Sequence, residues 1–112
     1  MSPEERFDEL VATFARAHHV SRPGEGRGFG SNALRVRGKV FAMLVRGRLV
    51  VKLPKVRVDS LVHSRNGVRF DANKGAPMKE WFSLDPASDL EWGSIAREAM
   101  AFVSPTQSEG GS

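Results

Sequence analysis

Cysteine is missing from this chain of 112 residues. Its absence excludes disulfide bonds, cysteine–zinc sites and cysteine nucleophiles. It also suits a reducing compartment, and we expect a cytoplasmic protein. The longest apolar run, residues 40–45, is far shorter than the roughly 20 residues that cross a bilayer. The opening residues are acidic and amphipathic, which is not the pattern of a secretory signal peptide.

Acidic residues are nearly absent from residues 22–57, where Glu25 stands against ten arginines and lysines. This part therefore carries a charge of +9, and the net charge of +4 leaves −5 for the rest of the chain. Such segregation favours a polyanionic partner such as nucleic acid. The alternative is a charged face that only keeps the protein solvated.

Histidine is rare, and the residues form no recognisable catalytic or metal-binding set. His18 and His19 are adjacent, so on a helix their side chains point about 100° apart, which is unfavourable for a shared metal. The serines and histidines fit no nucleophile–base signature. We therefore expect a protein that is not an enzyme, with no catalytic residue, no metal and no cofactor.

Two Arg-Gly pairs, Arg37-Gly38 and Arg46-Gly47, separate three runs rich in valine and leucine. Glycine supplies the positive φ that tight hairpin turns require. The pattern predicts a meander with strands within residues 29–37, 39–45 and 48–53. The middle run is apolar at every position after its first lysine, which is typical of a central strand.

Helix signals flank the meander. Ser2 and Glu5 form a capping box around a proline that suits the first helical position. The apolar spacing that follows predicts a helix running to residues 17–20. Pro54 predicts the start of a second helix, which Asn66-Gly67 should end.

The remaining segments complete an α+β domain. Strands are predicted around residues 68–70 and 78–84, then a last helix introduced by a capping box of Ser88 and Glu91. The polar residues 104–112 predict a disordered tail. The expected fold is one domain, residues 1–103, in the order α-βββ-α-ββ-α. It has a single five-stranded antiparallel sheet with helices packed on one face.

Three segments together resemble the TfoX N-terminal domain and the related YjbR/MmcQ proteins: Gly38–Pro54, the Gly-Ala-Pro-Met-Lys-Glu-Trp run of residues 75–81, and the Ala-Arg-Glu-Ala run of residues 96–99. The resemblance covers residues 7–103. It implies a five-stranded antiparallel sheet and a YjbR-like fold. It also implies DNA binding through a double wing of hairpins, and a regulatory role. The family offers no agreed catalytic residues.

The residues then define a candidate nucleic-acid surface. Side chains on one face of the meander, at its turns and at the start of the second helix would contact phosphates, giving salt-sensitive and largely non-specific duplex binding. These predicted residues are Arg35, Arg37, Lys39, Arg46, Arg48, Lys52, Lys55 and Arg57.

The alternative is a protein-interaction or homodimerisation module. The middle strand is apolar on both faces, so Phe41, Met43 and Val45 would need cover on the face away from the helices. A partner would supply it, or the protein's own loops at residues 21–30 or 71–77 would. One of Trp81 and Phe82 must also face outward, and Trp81 joins the candidate interface. An outward Trp81 would either pack at the edge or stack on a base.

Overall fold

The computed structural model describes residues 2–16, 20–21, 33–71 and 78–104 of the chain. The α+β fold and the predicted order of elements are confirmed, with one additional two-residue strand at the sheet edge. The helices are α1 (Pro3–Phe14), α2 (Lys55–His63) and α3 (Trp92–Val103). The strands are β1 (Val20–Ser21), β2 (Ala33–Val36), β3 (Lys39–Val45), β4 (Arg48–Lys52), β5 (Gly67–Arg69) and β6 (Trp81–Leu84).

The strands form one antiparallel sheet in the spatial order β1-β2-β3-β4-β6-β5. The five predicted strands make up most of it, and the short β1 extends the edge beside β2. The last two strands are exchanged relative to chain order, so β6 lies next to β4 and β5 lies at the edge. This places Trp81 beside Lys52, a neighbour relation between distant parts of the chain.

Both Arg-Gly pairs form the predicted hairpin turns. Arg37 and Gly38 have φ values of 53° and 83°, and Arg46 and Gly47 have 52° and 78°. Positive φ at both central residues is the signature of a type I′ turn, whose twist matches that of the flanking strands. The turns therefore fix β3 as the middle strand of a tight meander.

Phe41 forms a bulge in β3, because it has no partner in β2. Leu34 is paired with Ala42, while Arg35 is paired with Val40. The extra residue interrupts the alternation of faces, so Phe41 and Ala42 both point towards the helices. The sequence-based prediction that Phe41 shares a face with Met43 and Val45 is therefore wrong. Phe41 is fully buried, and its ring centroid lies 5.7 Å from that of Phe14.

The hydrophobic core lies between the sheet and the three helices. Helix α1 contributes Phe7, Leu10 and Phe14, and α2 contributes Val58 and Leu61. The inward residues of the sheet belong to the same cluster as the apolar stripe of α3. Trp92 is part of that stripe and is buried, as predicted. Its ring also lies 4.3 Å from the guanidinium carbon of Arg6, which joins α1 to α3.

The first two helices differ from prediction mainly at their C-termini. The capping box of Ser2 and Glu5 is present, but α1 ends at Phe14 rather than at residues 17–20, and residues 17–19 lie outside the described part. Pro54 is the N-cap of α2 rather than its first helical residue. Helix α2 ends in a Schellman arrangement, with Arg65 at a φ of 67° instead of Asn66-Gly67.

The final strand and helix begin later than predicted. Strand β6 starts at Trp81, three residues after Met78. The predicted capping box of Ser88 and Glu91 is wrong, because Glu91 is the N-cap of α3 and its side chain makes no capping hydrogen bond. The Ser88 hydroxyl instead accepts from the N–H of Leu90 and donates to Asn66. The predicted tail comprises residues 104–112, of which Ser104 is the C-cap of α3 and residues 105–112 lie outside the described part.

Gly67 gives a direct test of how closely β5 approaches β6. A Cβ at this position would overlap the carbonyl oxygen of Ser83 and would lie 2.6 Å from the ring of Phe82. We expect Gly67→Ala to lower the free energy of unfolding by about 1–3 kcal/mol, measured by urea denaturation.

The matched control is Gly93→Ala, where the added methyl group meets nothing within 4 Å and lies in α3. It should raise stability by up to about 1 kcal/mol. Equal effects of the two substitutions would contradict the close packing at Gly67.

Candidate nucleic-acid interface

The sheet face opposite the helices is named the outer face. One cross-strand row on it runs through Ala33, Met43, Val50, Ser83 and Val68. Ala33 and Val50 are buried although neither belongs to the core cluster between sheet and helices. The centre of the outer face is therefore shielded from water, and its charged side chains lie to either side of this row.

The basic residues of the meander occupy both ends of the sheet. Strand alternation places Arg35 and Lys52 on the outer face towards one end, and Arg48 towards the other. Arg37 and Arg46 are exposed at the two turns, and Lys39 is exposed beside the first turn. The seven residues of β3 separate the turns by roughly 20 Å. Six of the eight predicted residues thus lie on the three strands of the meander and their two turns.

Lys55 and Arg57 are placed differently, because both lie on α2 and face acidic partners. Arg57 makes a bidentate contact with Glu98 of α3, at 2.9 and 3.1 Å. The Lys55 ammonium lies 2.7 Å from Asp59, which also accepts from Arg69. Arg57 therefore joins two helices and lies away from the outer face, while Lys55 remains near its edge.

The cations of the meander differ from these two residues. Three ion pairs of the described part, Lys55–Asp59, Arg57–Glu98 and Arg69–Asp59, involve none of the six meander cations. Arg48 is half-buried, and its Nη2 donates a long hydrogen bond of 3.5 Å to the carbonyl of Ser83. Its buried Nε has no hydrogen-bond partner. A guanidinium carries five N–H donors, and the contact with Ser83 uses one of those of Arg48.

Trp81 lies on the outer face because Phe82, its neighbour, is fully buried in the core. Trp81 is half-buried, and the Lys52 ammonium lies 5.7 Å from its ring centroid. The two residues border a pocket of about 480 Å³. Its lining consists of Lys52, Lys55, Met78, Lys79, Glu80 and Trp81.

Lys79 is the cationic residue that the sequence prediction left out of the binding set. It lies far along the chain from the basic meander and beside a glutamate, so charge counting gives it no weight. Only the pairing of β4 with β6 brings it near Lys52. In the sequence, the Lys-Glu-Trp tripeptide at residues 79–81 is the available indication of this site. It can be interpreted only when β6 is known to lie beside β4.

The candidate protein interface changes in composition. Phe41 leaves it because that side chain is in the core, whereas Met43, Val45 and Trp81 are half-buried on the outer face. The large apolar side chains exposed in the described part are Val56, Val68 and Met78, which come from three different segments. The loops named above as alternative cover, residues 21–30 and 71–77, lie outside the described part except for Ser21 and Asp71.

Within the described ranges, no group of three or more histidine or acidic residues is placed to hold a metal ion. None of the helices found there is both long and apolar enough to cross a membrane. Comparison of the chain with protein-family models, curated proteins and solved structures finds no match in any of the three. The resemblance to the TfoX and YjbR proteins therefore stays a prediction.

Asp59 forms an ion pair with Lys55 at the edge of the pocket. The ion pair requires an ionised Asp59 carboxyl, so it can be tested by varying the pH. Hydrogen bonds from Lys55 and then Arg69 lower the pKa of Asp59 below its usual 3.8. A lowered folded-state pKa means that the stabilisation is present at neutral pH and is lost as the pH falls through that value. We expect Asp59→Asn to lower Tm at pH 7, with a difference from wild type that narrows below about pH 4.

The control is Asp89→Asn, which removes an exposed acid that forms no ion pair with any described residue. It should change Tm little at any pH, as measured by circular dichroism. If the difference in Tm between wild type and Asp59→Asn stayed constant from pH 7 to about pH 3, the assigned ion pairs would be contradicted.

Proposed function

We propose that this protein is a non-enzymatic nucleic-acid-binding domain that holds the phosphates of duplex DNA with its basic meander. The observation that carries the proposal is the concentration of six cations on the meander, in a segment with no acidic residue between Glu25 and Asp59. On the helix-covered side of the sheet, Lys55, Arg57 and Arg69 each have an acidic partner. Those three ion pairs involve none of the six meander cations.

The geometry suits a backbone contact without base reading. The turns are separated by roughly 20 Å, which corresponds to about six base pairs at a rise of ~3.4 Å. Arginines at both ends would meet phosphates and release counterions, a gain that depends on salt and little on sequence. Each turn has only two residues at its tip, so few hydrogen-bond donors extend far enough to contact the edges of the bases.

The proposal includes membership in the TfoX N-terminal and YjbR-like group and a regulatory role. Its support is the α-βββ-α-ββ-α order together with the motif segments at residues 38–54, 75–81 and 96–99. Binding to DNA also requires a compartment that contains it, and a cytoplasmic location is part of the proposal.

The alternative function, a homodimer or protein-interaction module, is supported by fewer observations. It was motivated by apolar residues of β3 that lacked cover, and Phe41 is now accounted for by the core. Interaction surfaces usually present contiguous apolar patches of several hundred Å². Within the described part, the exposed large apolar residues come from α2, β5 and the segment before β6.

Charge reversal at the turns tests the DNA proposal. Arg37 and Arg46 are exposed and lie at opposite ends of β3, so Arg37→Glu with Arg46→Glu should leave the core unchanged. We expect the affinity for a short duplex to fall by at least about tenfold. The slope of log affinity against log salt should decrease by about two, measured by fluorescence anisotropy from about 50 to 200 mM salt.

A control with the same net charge is Arg16→Glu with Arg97→Glu, which alters exposed residues at the end of α1 and on α3. It should change the salt slope by less than about one. The proposal fails if wild type does not bind duplex DNA at the lowest salt. It also fails if the turn variant and the helical control lose the same duplex affinity, because binding would then depend only on the net charge of the protein.

A further inference from the structure

The pocket beside Trp81 has the composition of an aromatic platform edged by cations. Its volume of about 480 Å³ is within the usual range of pockets for small organic groups. Three of its six lining residues are lysines, and Glu80 is the one acid among them. The backbone of Glu80 is held by a hydrogen bond of 3.0 Å from the N–H of Leu53, which anchors the pocket to the end of β4.

We propose that this pocket takes one unpaired base of a nucleic-acid strand, stacked on Trp81, with the adjoining phosphates held by lysines. The inference rests on the proposed function and deepens it, since it adds a site for unpaired bases to a surface for phosphates. A nucleic-acid strand supplies both chemistries that the pocket offers, a flat π-face and a row of negative charges.

The placement of Trp81 favours a ligand role for its ring. The core position at this point of β6 is already filled by Phe82, so the indole is not needed to complete the core. Lys52 lies 5.7 Å from the ring centroid, near the outer limit of about 6 Å for a cation–π contact. That weak contact can be exchanged for a phosphate without disrupting the sheet.

The lysines determine where the phosphates lie. Lys55 is paired with Asp59 at 2.7 Å, so it lines the edge of the pocket with its charge partly neutralised. Lys79 is exposed on the turn that leads into β6, and Lys52, on β4 of the meander, is paired with Trp81. The carboxylate of Glu80 repels phosphate from its own side of the pocket. The backbone of a bound strand would therefore run along Lys79 and Lys52.

The pocket continues into the basic meander at one end of the sheet. Val51 is paired with Ala42, so Lys52 lies near the start of β3 and hence near the turn that carries Arg37. A strand that leaves the pocket on this side meets Arg35 and Arg37. In an intact duplex, both faces of every internal base are covered by neighbouring base pairs. The Trp81 ring would therefore contribute to binding only where bases are unpaired.

The test compares Trp81→Leu with Trp81→Phe. Leucine keeps an apolar side chain without a π-face, whereas phenylalanine keeps a ring that can stack. We expect Trp81→Leu to weaken binding of oligothymidylate by about five- to a hundredfold, and Trp81→Phe by less than about threefold. Neither should alter the affinity for a blunt duplex or for an abasic oligomer of the same length. Urea denaturation of both variants checks that each is folded.

The outcomes separate the two proposals. If wild type binds strands and duplex but Trp81→Leu changes neither, the pocket assignment is overturned and the proposed function stands. An equal loss for strand, abasic oligomer and duplex also overturns it, because the ring would then not be reading a base. Thymidine monophosphate that binds as tightly as the strand would assign the pocket to free nucleotides instead. No binding of any nucleic acid at low salt would overturn both proposals.

Discussion

One unpaired residue in β3 decides which side chains of the central strand face the helices. Because Phe41 is bulged, it and Ala42 both enter the core, and the alternation resumes with Met43 outward. Without the bulge, a strict period of two along β3 would direct Phe41 outward beside Met43 and Val45. The bulge thus gives the core a large ring next to Phe14 and leaves Met43 and Val45 as the outward side chains after it in β3.

The cations on the two sides of the sheet differ in their ion-pair partners. On the helical layer they hold elements together, as when Arg57 of α2 contacts Glu98 of α3. Exposed ion pairs of this kind contribute little stability each, but they use up the hydrogen-bonding capacity of the cation. The six meander cations take no part in the Arg57–Glu98, Lys55–Asp59 and Arg69–Asp59 ion pairs. The formal charge alone does not distinguish these two groups of cations, whereas the positions of the acidic residues do.

Local signals predicted local structure well. The turns at Arg37-Gly38 and Arg46-Gly47 and the capping box of Ser2 depend on residues a few positions apart, so the sequence alone identified them. The bulge at Phe41 depends on how two strands align, and it was missed. Ser88 was misassigned because its hydroxyl bonds to Asn66, 22 residues away, rather than capping α3.

The candidate site was predictable in part for the same reason. Charge counting found Arg35, Arg46 and Lys52 because the basic residues cluster in one segment of sequence. It also included Arg57, whose partner Glu98 is 41 residues distant. The pocket beside Trp81 required the exchange of β5 and β6, which brings residues 79–81 next to the end of β4. Strand order at that point is a property of packing, and no local pattern encodes it.

The conformation of three arginines has a consequence for the stability of the whole protein. Arg37, Arg46 and Arg65 are the residues other than glycine with positive φ in the described part, and a side chain there costs roughly 1 kcal/mol relative to glycine. Asparagine or glycine would relieve that strain at each turn. At the two hairpin turns, a substitution that raises the stability of the fold therefore removes a positive charge. Selection of this protein for heat resistance alone would favour the loss of Arg37 and Arg46.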